Sequence, residues 1–217
     1  MTEPENNNND TSFINIDKYR DVFGPDIFEI WEELQHVDDD IKRKNPHGYF
    51  AAGINPSEIK FNSIVHQNIT GKCLDIGCGL LPLPSYMQNQ PNIKFIGIDP
   101  HEDKIDRNFE FVHGIAEDLP FTDNEFDGVI FATSLDHVFS VEDSLKEVYR
   151  VLKQNSKIVI WYTAYDKPHY AGTKADKFHQ WRLTDNMLKE ILLKVGFGGI
   201  DISCIGGNEH VLIAIKL

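Results

Sequence analysis

The 217-residue sequence predicts an α/β fold: a seven-stranded, mostly parallel sheet with an antiparallel last strand and helices on both faces. Three features predict it. Short apolar runs alternate with amphipathic stretches from Gly71 onward, the first run empties into a glycine-rich turn, and the last two runs are joined by only Gly206-Gly207-Asn208-Glu209. Alternation of strand and helix is the grammar of a parallel sheet. A four-residue joint cannot hold the crossover that a parallel connection needs, so the seventh strand turns back on the sixth as a hairpin.

The runs that read as strands are Lys72–Ile76, Ile93–Ile98, Phe109–His113, Phe126–Ala132, Lys157–Thr163, Gly199–Ile205 and His210–Lys216. Between them, Glu142–Leu152 and Thr184–Val195 carry apolar residues at helical spacing, and a shorter helix is expected over Pro82–Asn89. Ahead of the sheet lie two further regions. Residues 1–12 are polar and asparagine-rich and read as a disordered tail. Residues 13–68 read as a helical N-terminal extension of the same domain: two short helices around Gly24-Pro25, and a third over Pro56–Gln67. Such an extension either covers a substrate site or packs against the edge of the sheet. Residues 69–217 form the ligand-binding domain.

Composition narrows the partners. With 21 Lys and Arg against 34 Asp and Glu, the net charge is −13. Nucleic-acid binding draws its affinity from clustered cations that neutralise phosphates, and the densest basic stretch is Lys42-Arg43-Lys44. Nucleic acid is therefore not an expected partner, and a small polar molecule is. No apolar run approaches the roughly 20 residues of a membrane span. The N-terminus lacks a signal-peptide pattern, and the three cysteines (Cys73, Cys78, Cys204) form neither a disulfide framework nor a metal motif. A cytoplasmic protein is expected, with no structural metal.

The first strand ends in Asp75-Ile76-Gly77-Cys78-Gly79. Two glycines with one residue between them let the backbone turn sharply and approach a ligand closely. The second strand ends in Asp99, 22 residues after Gly77 and followed by Pro100. An acid there stands where ribose hydroxyls are read in open α/β sheets. A dinucleotide fingerprint would continue with a third glycine, but position 82 is proline, preceded by Leu80 and Leu81. Proline removes an N–H that a pyrophosphate would use, which disfavours NAD.

Taken together, these segments resemble class I S-adenosylmethionine-dependent methyltransferases, and in particular their small-molecule type 11 subfamily. Leu74 to Gly79 is similar to the first motif of that family, and Gly97-Ile98-Asp99 resembles its ribose-binding acid. Ala116-Glu117-Asp118-Leu119-Pro120-Phe121 looks like the segment beside the adenine, Phe126 to Ile130 its fourth strand, and Glu147 to Lys153 the helix before its fifth. The resemblance covers roughly residues 70–217 and implies a Rossmann-like fold with S-adenosylmethionine as cofactor. It implies that Asp75, Gly77, Cys78 and Gly79 line the methionine half and that Asp99 with Pro100 holds the ribose. Ile115, Ala116 and Glu117 would flank the adenine, with Ala132 and Thr133 at the end of the fourth strand. Two departures stand out: Ile115 replaces an acid that many relatives place before the alanine, and Pro100 to Arg107 is short where relatives carry a helix.

Past the fourth strand the chain reads Thr133-Ser134-Leu135-Asp136-His137, facing the transferable methyl in this fold. An alcohol acceptor needs a base, and His137 is the candidate, with Asp136 the alternative. The structural alternative is that Asp136 caps a turn and His137 packs beneath the adenosine. The Asn/Asp-Pro-Pro-Tyr/Phe box of DNA amino-methyltransferases is missing here. The loop from Tyr165 to Arg182 gathers His169, Tyr170, His179, Trp181 and Arg182 as candidate substrate contacts. Its aromatic faces beside hydrogen-bond donors suit a sugar-type or natural-product alcohol, with O-methylation favoured over N-methylation. His169, Asp176 and His179 match no standard metal-ligand spacing. A regulatory protein that keeps the cofactor fold without catalysis, and an NAD-dependent oxidoreductase, are the competing readings.

Overall fold

The computed structural model describes residues 16–44, 56–101, 105–169 and 174–217. The expected tail (1–12), the connection before the third helix and Tyr170 lie outside the described residues.

Seven strands form one sheet: β1 (Gly71–Ile76), β2 (Ile93–Asp99), β3 (Glu110–His113), β4 (Phe126–Ala132), β5 (Leu152–Thr163), β6 (Phe197–Gly206) and β7 (Glu209–Lys216). Their order across the sheet is β3-β2-β1-β4-β5-β7-β6. The pairs from β3 through β5 are parallel, while β7 is antiparallel to both neighbours. The strand reversal between β1 and β4 places the crevice of the molecule at their carboxyl ends.

Side chains alternate across the strands and divide the core in two. Leu74, Ile76, Ile96, Ile98, Val129, Phe131, Ile158 and Ile160 face α4 (Val141–Val151) and α5 (Asp185–Val195). Cys73, Phe95, Ile130, Ala132, Val159 and Trp161 face the other way, onto Phe61 and Val65 of α3 (Pro56–Asn68). Both flanking helices of the first face start on side-chain caps: Ser140 accepts from Asp143 N, and Thr184 from Met187 N. Gly196 ends α5 in the left-handed conformation, φ +118°.

Two elements differ from the sequence expectation. Over Pro82–Asn89 only a 3-10 turn forms, Ser85–Met87. Pro84 pushes Leu83 before it out of helical backbone, Pro84 itself is extended at ψ +148°, and Asn89 turns to φ +58°, so no full helix spans the segment. The N-terminal pair is also uneven. Gly24, at φ +86°, ends the six-residue α1 (Lys18–Phe23). Pro25 then opens the twenty-residue α2 (Pro25–Lys44). Its apolar face fades after Leu34, but no glycine or proline interrupts it before Pro46.

Candidate active site

The crevice begins at the end of β1. Gly77 and Gly79 have φ of +74° and +68°, left-handed values that a side chain resists. A Cβ on Gly77 would also lie 2.4 Å from Cβ of Ser134. Ser134, just past β4, donates its hydroxyl hydrogen bond to the carbonyl of Ile76. The two loops that flank the switch in strand order are thereby clamped together. Cys78 is buried, with Sγ toward Gly97; burial pushes its thiol well up, so it serves as packing.

Two carboxylates back this turn. Asp75 is fully buried and accepts a hydrogen bond from the Tyr86 hydroxyl at 2.9 Å. Burial raises its carboxyl to about 8 despite that bond, and the charge of Asp99 pushes the same way. Asp99 is 4% exposed; Oδ2 accepts from Gly79 N at 2.8 Å and Oδ1 from His101 N at 3.0 Å. Each oxygen keeps a second lone pair.

Beyond β2, the Pro100 carbonyl accepts from Nε2 of His113 at 2.6 Å. Ile115 and Ala116 are both buried. Glu117 turns to the start of α4, where Oε1 accepts from Ser140 N at 2.9 Å; burial lifts this carboxyl to about 7. The N-terminal helices close over this region. Phe139, in the loop after β4, stacks on Trp31, Phe23 and Phe28 at centroid distances of 4.3, 4.9 and 5.8 Å. Ile115 belongs to the same cluster. Tyr19 and Lys18 both donate to Asp118. Gln35 meets Nε2 of His101 through Oε1 at 3.0 Å and reaches the His137 carbonyl through Nε2 at 3.4 Å.

The carboxyl end of β4 carries the other half. After Ala132, buried in the core, Thr133 adopts φ +57° and a 3-10 turn, Leu135–His137, follows. The loop between β5 and α5 docks on this turn: Gln180 N and Trp181 N both donate to the Asp136 carbonyl at 3.1 Å, and Trp181 Nε1 donates to the Val138 carbonyl at 2.7 Å. That docking brings His179 to the turn. Its Nδ1 donates to Oδ1 of Asp176 at 2.9 Å, while Nε2 lies 3.8 Å from Oδ2 of Asp136. On the other side of the buried carboxylate, Nε2 of His137 stands 3.7 Å from Oδ1. The two imidazole centroids are 5.1 Å apart.

The structure therefore gathers Asp136, His137 and His179 into one cluster and leaves other sequence candidates elsewhere. Trp181 lends its indole to the core under the loop, 8% exposed, rather than offering an open stacking face. His169 and Arg182 exchange backbone hydrogen bonds as an isolated bridge. The Arg182 guanidinium donates to the Ala175 carbonyl and lies over the ring of Tyr165. Sequence reasoning missed Gln35, Tyr86 and the pairing of Asp176 with His179. Only the last had a signal, the Asp-x-x-His spacing of residues 176–179.

The fold and the glycine turn at the end of β1 resemble those of class I S-adenosylmethionine-dependent methyltransferases. Residues 74–160 match the family model described as Methyltransferase domain. This agrees with the sequence resemblance. A demethylmenaquinone methyltransferase of Symbiobacterium thermophilum is 30% identical over 141 residues, covering 57% of this chain and 54% of its own. A ubiquinone/menaquinone biosynthesis C-methyltransferase of Pseudoalteromonas translucida is 24% identical, over 80% of this chain and 64% of its own. The chain thus spans about half to two-thirds of the length of these curated relatives. Among solved structures, a SAM-dependent methyltransferase from Thermotoga maritima shares the fold with a TM-score of 0.65 at 20% identity, over 86% of this chain and all of that one. A Burkholderia thailandensis 1,6-didemethyltoxoflavin-N1-methyltransferase, solved with S-adenosylhomocysteine, has the same score at 14% identity, over 86% and 88% of the two chains.

Proposed function

We propose that this protein is an S-adenosylmethionine-dependent methyltransferase acting in the cytoplasm on a small polar molecule, a sugar-type or natural-product alcohol in first place. The observation that carries this reading is the cluster of Asp136, His137 and His179, at the turn that follows Ser134, whose hydroxyl ties this loop to the end of β1. The family supports the cofactor, and the residues present fit it. Gly77 and Gly79 offer bare backbone, Asp99 at the end of β2 has acceptor capacity left for ribose hydroxyls, and Oδ1 of the buried Asp75 has no hydrogen-bonding partner among the described residues. When bound, S-adenosylmethionine supplies an electrophilic methyl on a sulfonium.

The chain's own residues have three tasks in this reading. The turn and Asp99 hold the donor, with Ile115, Ala116 and Glu117 bounding the adenine side. Alignment of the acceptor with the methyl is the main catalytic contribution in a direct displacement. His137, with Asp136 behind it, takes the proton from an acceptor hydroxyl. Helices α1 and α2 cover the cleft through Phe139, Ile115 and Gln35, keeping water from the reacting atoms. The names of the curated relatives favour a second reading, a carbon acceptor on a quinone-type ring.

Calorimetry with S-adenosylmethionine, S-adenosylhomocysteine and NADH tests the cofactor, and S-adenosylhomocysteine production across sugars, amines, phenols and quinols tests the acceptor. Binding of NADH alone would overturn the proposal. Cofactor binding without turnover of any acceptor would favour a regulatory protein.

A further inference from the structure

We infer that Asp136, His137 and His179 form a site for a first-row divalent transition metal ion of the zinc class, on the acceptor side of the cleft. One ligand atom from each of the three residues lies within 4.8 Å of the others. A zinc ion binds imidazole nitrogen and carboxylate oxygen at about 2.0–2.2 Å, so its ligand atoms stand roughly 3.4 Å apart in a tetrahedral shell. His137 Nε2 lies 3.7 Å from Oδ1 of Asp136 and His179 Nε2 lies 3.8 Å from Oδ2, each a few tenths of an ångström beyond that spacing.

Three further features favour an ion over an ordinary polar cluster. Oδ1 of Asp136 is buried and has no hydrogen-bonding partner among the described residues, a costly state for a carboxylate oxygen unless a cation faces it. Asp136 is also fixed from behind: its carbonyl accepts from Gln180 N and Trp181 N, which holds the His179 loop against the turn. Finally, Asp176 accepts from Nδ1 of His179, leaving the Nε2 lone pair directed at the cluster. Carboxylates orient metal-bound histidines in the same way, raising their basicity. Two imidazoles and one carboxylate form a borderline-soft donor set that suits zinc and its neighbours rather than magnesium or calcium. Sequence spacing concealed this site because its ligands come from two loops more than 40 residues apart, and because His169 is not among them.

The site itself does not depend on the methyl-transfer reading; only its role does. An ion here would stabilise the acceptor's oxygen as it loses its proton. His137 would then act as a ligand in place of a base.

The test is metal binding by the chelator-treated full chain, without cofactor or acceptor. A Cys204→Ser background removes the exposed thiol. Titration with zinc should show one equivalent bound, and cobalt(II) should give an absorption spectrum of nitrogen and oxygen ligands. His179→Ala should weaken zinc binding about 100-fold or more, and Asp176→Asn about 10- to 100-fold. His179 is half-exposed, and circular dichroism verifies that both variants fold. Absence of stoichiometric binding would overturn the site, as would unchanged affinity in a folded variant. Because S-adenosylmethionine calorimetry on the metal-free protein is a separate measurement, failure of one proposal does not disguise failure of the other.

Discussion

His101 donates from Nε2 to Oε1 of Gln35 across 3.0 Å, joining the loop beyond β2 to α2 over the mouth of the crevice. The other end of the same amide reaches the His137 carbonyl at 3.4 Å. One side chain thus ties the loop beyond β2 to the turn beyond β4.

Gln35→Ala should therefore loosen the cover without unfolding the sheet. Two hydrogen bonds of about 1 kcal/mol each are at stake, the one at 3.4 Å being the weaker. Amide exchange in α2 should accelerate and limited proteolysis should cut there first, while thermal unfolding shifts by only a few degrees. Unchanged exchange in α2 would show that the aromatic cluster on Phe139 holds the helix by itself.

Asp99→Ala should weaken S-adenosylmethionine binding by about 1.5–3 kcal/mol, the usual worth of a hydrogen bond to a charged group. That corresponds to roughly 10- to 150-fold in Kd by calorimetry. The variant also leaves Gly79 N and His101 N without their carboxylate. Thermal stability measured without cofactor separates that local effect from lost ligand contacts.

Gly77→Ala combines backbone strain at positive φ with a collision against Ser134. The two penalties together amount to about 2–4 kcal/mol. Ser134→Gly removes the collision and also the hydrogen bond to the Ile76 carbonyl. A double-mutant cycle, which subtracts the cost of Ser134→Gly alone, isolates the collision and should give a favourable coupling smaller than the whole Gly77→Ala penalty. A coupling as large as the whole Gly77→Ala penalty would mean that the strain at Gly77 is negligible.

Stability should fall as pH rises from about 4 to 8. Asp75 and Glu117 hold their protons in the folded chain up to about 8 and about 7, whereas in the unfolded chain both ionise in the ordinary carboxylate range. The folded state binds more protons through that window, so raising pH favours unfolding. Asp75→Asn should flatten most of this slope and raise Tm at pH 8 by several degrees. Chemical denaturation at pH 5 and pH 8 checks it, and an equal slope in the variant would refute the assignment to Asp75.

Much of this was legible in the sequence because each signal was local. Strand alternation, the glycine turn with Asp99, and the four-residue hairpin needed nothing beyond their own segments, and the sheet order follows the arrangement they imply. The glycine turn reads easily since positive φ at Gly77 and Gly79 restricts residue choice directly. What resisted reading was long-range. Gln35 looks like any polar helix residue until its partners arrive from residues 101 and 137. Trp181 looked like a stacking surface because a loop tryptophan gives no sign of which side faces the core. The short turn at Ser85–Met87 was decided by Pro84, which holds Leu83 and itself in extended backbone and outweighs apolar spacing.

The antiparallel seventh strand constrains how this molecule is assembled. β7 sits between β5 and β6, with residues 209–216 bonded to 157–163 on one side and 197–206 on the other. During synthesis β5 and β6 both exist before the strand that joins them, so each presents an unsatisfied edge until residue 216 has left the ribosome. Nascent chains stalled just before β7 should thus be held by chaperones or degraded, and an insertion at Gly207 should be tolerated far better than one inside β7.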